Sequence, residues 1–223
     1  GAVTTLSGVE QYSVGDDSTN ARTITISQAG ASVTADASTD AVTFNAGALA
    51  ITGTLTGDST VDDVLSLSNG ADISGATITQ IEALTLASGA AVTMKASQNQ
   101  AFTGTVTAPG SGSSGEKIIV TGDGAVTALS GIETYELGDD STNARTLTTG
   151  SAALNLIANQ ASDTVTVNAT SLAQNTALTV FDTSASALTV SSLVGDLVAT
   201  KLTGALTVTT ANAADNGISI TTG

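Results

Sequence analysis

The chain sets twenty carboxylates against five cations over 223 residues, a formal charge of −15, with no cysteine and no histidine. Such a surface lacks the clustered Lys and Arg that hold nucleic acid, and an anionic membrane repels it. Without Cys or His there is no disulfide, no thiolate nucleophile, no usual zinc ligand and no Ser-His-Asp arrangement.

Along the chain, short runs alternate apolar residues with Thr or Ser: RTITIS (22–27), AVTFNA (41–46), TLTG (54–57), VLSLS (64–68), ATITQ (76–80), ALTLAS (83–88), AVTMKAS (91–97), TGTVTA (103–108), KIIVTG (117–122) and TVTVNA (164–169). This period of two predicts strands with one buried face. Clusters of Gly, Asp, Asn and Ser separate them, among them TGDST, SNGAD, ASGA and ANAADNG. NATSLAQNTALTV (168–180) offers room for one helical turn, and APGSGSSGE (108–116) reads as a loop or hinge. No run of about 18 apolar residues is present, so no segment reads as a membrane-inserting helix. No leader peptide is visible, and a chain that begins at Gly1 without Met reads as a fragment of something longer.

The chain is also a tandem duplication. GAVTTLSGVEQYSVGDDSTNARTIT (1–25) aligns without a gap on GAVTALSGIETYELGDDSTNARTLT (124–148), with 19 of 25 positions identical. The predicted units are therefore 1–123 and an incomplete or divergent second copy, 124–223, within what could be one continuous solenoid. Aromatic residues make up only 2% of the chain. A β-sandwich fills the space between its sheets with large side chains, so tandem sandwiches are the second choice. An all-β solenoid, a parallel β-helix in which small β-branched residues stack on their neighbours, fits better. Its coil length is not readable, because the strands are unevenly spaced. Thr-x-Thr pairs begin at 23, 54, 77, 105, 146, 164 and 207; this irregularity argues against the constant threonine ladder of an ice-binding solenoid.

A third element occurs three times, as SGVEQYSV (7–14), TQIEALTL (79–86) and SGIETYEL (130–137). If Tyr12 and Val14 point inward, Glu10 begins that same face, and a buried carboxylate needs strong partners. Glu10 and its copy Glu133 are best placed at the start of a strand, bonding backbone N–H groups of a turn or a cation.

The SGVE/QIE/GIE element followed by a strand, together with the tail KLTGALTVTTANAADNGISITTG (201–223), resembles large bacterial surface proteins of the RTX, type I-secreted class. These are S-layer and adhesin proteins, hemolysin-like surface proteins included. The resemblance implies an extracellular location, at the bacterial surface or secreted, a repetitive Thr-, Ala- and Asp-rich solenoid, and Ca²⁺. The GGxGxDxUx nonapeptide that carries calcium in that class is absent.

The nine residues GDDSTNART occur twice, at 15–23 and 138–146. Asp16, Asp17 and Asn20, repeated as Asp139, Asp140 and Asn143, place hard oxygen ligands in a glycine-led turn, which suits Ca²⁺. The alternative is a tight turn whose Asp side chains bond the backbone while Arg22 or Arg145 pairs with a carboxylate. Asp62-Asp63 and Asp139-Asp140 could be cast as the acid pair of a polysaccharide-degrading β-helix, but the aromatic platforms that grip sugars are missing. The expected function is structural, not enzymatic. It is a module of a surface lattice, filament or adhesin stalk that self-associates end to end and joins the rest of a larger chain. A carbohydrate-binding adhesin module, with a surface glycan as partner, is the alternative.

Overall fold

The computed structural model describes residues 2–15, 21–35, 40–109, 115–138, 144–158, 164–181, 187–211 and 217–223. The chain is an all-β parallel solenoid of about nine turns, with about 21 residues per turn. Two compact units can be distinguished, Gly1–Met94 with Gln100–Glu116, and Lys95–Asn99 with Lys117–Gly223.

In the first unit one sheet has the order β1 (Ala2–Thr4), β3 (Arg22–Thr25), β5 (Val42–Gly47), β7 (Val64–Leu67), β9 (Ala83–Leu86) and β11 (Val106–Thr107). A second contains β2 (Gln11–Ser13), β4 (Ser32–Thr34), β6 (Thr54–Thr56) and β8 (Thr77–Thr79). Every pairing is parallel, and each strand pairs with the next but one in the chain. On a third side, among the described residues, lie the bridges Ala50↔Asp72 and Asp72↔Thr93, the latter within β10 (Ala91–Lys95).

Stacking like on like follows from the parallel register, which places each residue about 4.8 Å from its counterpart one turn on. The column Val3, Ile24, Phe44, Leu65, Leu84 runs through the core. From Ile24 onward its members are at most 1% exposed. Alternate residues face outward, so β5 reads buried and half-buried in strict alternation.

The second unit repeats the plan. One sheet comprises β12 (Lys117–Thr121), β14 (Thr134–Leu137), β16 (Leu154–Ile157), β18 (Ala177–Val180), β20 (Asp196–Ala199) and β22 (Ile220–Thr222). The other comprises β13 (Ala125–Thr127), β15 (Arg145–Thr148), β17 (Val165–Asn168), β19 (Leu188–Leu193) and β21 (Leu206–Thr210). Val126, Leu147, Val167 and Val190 form its inner column and are buried.

Two sequence expectations require correction. The segment 168–180 contains no helix; Ala169–Leu172 and Ala173–Thr176 are successive turns closed by Leu172 N–H to Ala169 O (3.2 Å) and Thr176 N–H to Ala173 O (3.2 Å). The helical turn is α1 (Ala96–Ala101). Its start is closed by the Gln98 side chain, whose Oε1 accepts the Lys95 N–H at 2.7 Å, one half of a capping box. Nor do uneven separations prevent a threonine ladder. Thr146, Thr166, Thr189 and Thr207 occupy one outward column, because the corners absorb the differences in coil length.

Candidate functional site

The three glutamate elements occupy equivalent places. Glu10, Glu82 and Glu133 each immediately precede a strand, β2, β9 and β14. Each main-chain carbonyl accepts an N–H from the next turn: from Ser32 at 2.7 Å, Gly104 at 2.9 Å and Asn155 at 2.8 Å. Two residues earlier the backbone is left-handed in all three, with φ of +81° at Gly8, +54° at Gln80 and +81° at Gly131. The glycines adopt this without strain, whereas Gln80 must be held there by its surroundings. Glu10 is exposed; Glu133 is half-buried and lines a shallow depression of about 220 Å³ with Leu129, Ser130 and Leu154.

The tyrosines of this element do more than fill the core. In the first copy Tyr12 Oη accepts the Leu6 N–H at 2.5 Å and donates to Leu6 O at 2.7 Å. In the second, 123 residues on, Tyr135 Oη accepts the Leu129 N–H at 2.8 Å and donates instead to Asn99 Oδ1 at 3.0 Å. Asn99 in turn donates from Nδ2 to Thr127 O at 2.8 Å. Both Asn99 and Tyr135 are fully buried, and burial pushes the Tyr135 phenol well above its ordinary range. The sequence pattern suggests an inward-facing Tyr12 and assigns neither hydroxyl a partner. The signal for this second role was the Leu six residues before each.

Several carboxylates lie at the corner between β6 and β7. Asp63 is fully buried; Oδ1 accepts the Val42 N–H at 2.6 Å and Oδ2 the Asp58 N–H at 2.8 Å. Asp58 is 3% exposed. Its Oδ1 closes a turn by accepting Thr60 N–H and Oγ1–H, both at 2.6 Å, and Val61 N–H at 3.3 Å. Its Oδ2 is buried and has no hydrogen-bond partner, and the same holds for Glu82 Oε2. The register β7–β9 pairs Val64 with Ala83, so Asp63 and Glu82 are neighbours on adjacent rungs. Burial raises the Asp63 carboxyl above the ordinary carboxylate range; the two backbone donors pull it down, and the charges of Asp58 and Glu82 push it further up. Exposed Asp62 turns toward Gly104, where a side chain would come within 2.8 Å of its Oδ2. Asp62 and Asp63 therefore do not open together onto one cleft as an acid pair.

Asp16, Asp17, Asn20, Asp139, Asp140 and Asn143 lie outside the described residues. Asp58-Ser59-Thr60 repeats the DST of their segments, and the same closure by an Asx side chain recurs at Asp72–Ser74 and Asn168–Thr170. The flanking arginines bond carbonyls: Arg22 Nη1 donates to Gly15 O, and Arg145 Nη1 to Val120 O at 3.0 Å. Among the described residues no three acidic side chains stand close enough to form a ready-made metal cage. No protein-family model, curated protein or solved structure matches the chain.

Proposed function

We propose that the chain is a structural module of a large extracellular bacterial surface protein, a rod of a lattice, filament or stalk, and that copies join head to tail. One comparison within the molecule carries this reading. Val3, Leu6 and Val9 are 53%, 66% and 39% exposed, and Tyr12 is half-buried. Their counterparts Val126, Ile132 and Tyr135 are at most 4% exposed, and Leu129 is half-buried. The same sequence thus forms a covered face in one copy and an open apolar face in the other.

A second copy fits that face by continuation of the stack. In the first unit the sheets begin with β1 and β2; in the second they end with β21 and β22, with Ile220 45% exposed. In the duplication β1 corresponds to β13, which heads the sheet that ends in β21, and β2 to β14, in the sheet that ends in β22. Adding β1 to β21 and β2 to β22 extends both ladders, pairs their edges and covers Val3 and Leu6. Such a contact is heterologous and does not close, so it builds fibres. A lattice or stalk at a bacterial surface uses that property directly.

Sedimentation and negative-stain microscopy of the purified chain test the reading. Concentration-dependent elongated particles are expected, and Leu6→Asp shifts them to monomers, because an unpaired charge would have to be buried in the joint. A chain that stays monomeric at high concentration, or fibres indifferent to Leu6→Asp, refutes head-to-tail joining.

A further inference from the structure

We propose that the depression beside Gly131 and Ile132 is a binding site for a neutral primary carboxamide, the side chain of a Gln presented by a peptide. The first copy of the duplication already holds such a group. There the Gln28 side chain reaches the preceding turn, where its Oε1 accepts the Gly8 N–H at 3.2 Å and its Nε2 donates to Val9 O.

The second copy keeps that backbone and discards the side chain. Gly8 and Gly131 share a φ of +81°. The turn is closed by Val9 N–H to Leu6 O at 3.3 Å in one copy and by Ile132 N–H to Leu129 O at 3.4 Å in the other. In the gapless alignment, however, Gln28 becomes Ser151, and Thr5 and Ser27 become Ala128 and Gly150. Thr5 and Ser27 fasten the first copy's corner, by Ser27 N–H to Thr5 Oγ1 at 2.8 Å and Ser27 Oγ–H to Thr5 O at 2.5 Å. All three truncations open the same place. Ala128, Gly150 and Ser151 line the depression of about 220 Å³ together with Gly131 and Ile132. Among the described residues, no side chain replaces Gln28 on the Gly131 N–H or on Ile132 O.

The donor and acceptor at that corner define the ligand, which must offer a carbonyl oxygen and an N–H together. A primary carboxamide does so from one edge. A trans secondary amide, the acetamido group of a sugar included, presents them on opposite edges. Half-buried Glu133 lines the same depression, so a carboxylate is repelled. Buried Ile132 and Leu154 give the methylenes of the stem an apolar wall. The ligand exchanges two solvated hydrogen bonds for two at the protein, so the affinity is millimolar. The site does not depend on whether copies join head to tail.

Acetyl-Gly-Gln-Gly N-methylamide is titrated against the full chain and followed by saturation-transfer NMR on the peptide, which reads monomers and fibres alike. Saturation is expected to concentrate on the Gln methylenes. The Glu counterpart of the peptide and N-acetylglucosamine bind about tenfold more weakly or worse. Ser151→Gln, which supplies the carboxamide from within, abolishes binding and melts no lower than the wild type. Ser151→Ala, which leaves the depression open, binds as the wild type does. No transfer to the Gln peptide, equal binding of the Glu peptide or the sugar, unchanged binding in Ser151→Gln, or an equal loss in Ser151→Ala overturns the assignment.

Discussion

The two tyrosines form a matched pair, and Tyr135→Phe against Tyr12→Phe measures what burial adds to one conserved hydrogen-bonding arrangement. Phe keeps the ring and removes only the hydroxyl. At position 135 this strands the Leu129 N–H and leaves Asn99 Oδ1 without its donor. Both Tyr135 and Asn99 are fully buried, so water cannot replace what is lost. An unsatisfied buried polar group costs about 1–3 kcal/mol; with two such groups and partial relaxation, about 2–4 kcal/mol is expected. At position 12 the same deletion frees Leu6 N–H and O, which are exposed, and solvent takes over both bonds at a cost below about 1 kcal/mol. For a chain of this length 1 kcal/mol corresponds to about 2–4 °C in Tm. Urea unfolding followed by circular dichroism, with the midpoint and slope fitted separately for each variant, gives the comparison. Asn99→Ala combined with Tyr135→Phe should cost less than the sum of the two, since both remove the same bond. Equal losses at positions 12 and 135 would show that the second tyrosine's buried network contributes nothing beyond its ring.

Two further outcomes follow from the corner chemistry. A side chain on Gly57 would run into Gln80 O and the Asp63 carboxylate, whereas one on Gly30 meets nothing within 4 Å; Gly57→Ala should therefore cost about 2 kcal/mol or more and Gly30→Ala almost nothing, as read by chemical denaturation, and a neutral Gly57→Ala would contradict the packing described. The Asp63 carboxyl is raised above its unfolded value of 3.8, so the folded state holds that proton more tightly than the unfolded chain. Its contribution is greatest below the unfolded pKa and declines as pH rises through the raised folded value. In EDTA, the wild type should lose stability more steeply than Asp63→Asn between pH 4 and the neutral range, and parallel pH profiles would exclude Asp63 as the source.

Much of the architecture was legible because a strand's period of two survives any loop. VTFNAG gives the alternating burial that its pattern implies, and the duplication announces a repeating stack. The turn length was not legible, because the corners differ. Successive register steps run from 17 residues (Lys117 to Thr134) to 24 (Leu154 to Leu178), and only hydrogen bonding reveals that such unequal segments are equivalent. The helix at Ala96–Ala101 escaped because ASQNQA carries no apolar stripe; local capping by Gln98 and the bonds of Asn99 hold it. The carboxylate corner escaped for a related reason. Asp62-Asp63 stood out as an adjacent pair, yet one is exposed and the other buried. Glu82 joins Asp63 only through the register of β7 and β9, 19 residues apart in the chain. The threefold glutamate element did point to the start of a strand, where all three residues are found.

The repeated GDDSTNART is a test of how far identical sequence implies identical structure, and its arginine supplies an answer. Arg22 is half-buried and its Nη1 turns back to Gly15, within the same nine residues. Arg145, at the same place in the same nine residues, is 1% exposed, and its Nη1 reaches Val120, 25 residues earlier. Val120 O also accepts the Gly138 N–H at 3.0 Å, so the arginine fastens the corner to the turn before it. Placing a guanidinium in that position is favourable only if a preceding coil provides the carbonyl. The bonding of the arginine therefore does not travel with the letters of the segment. What its arginine bonds depends on the coil stacked against it. A coil docked on the first copy, as head-to-tail joining requires, would offer Arg22 a carbonyl like that of Val120. Arg22→Ala should then weaken assembly while leaving the isolated chain's melting temperature nearly unchanged, whereas Arg145→Ala should lower that temperature outright. If sedimentation and melting place the two substitutions in the same class, the inequivalence of the copies has no energetic meaning.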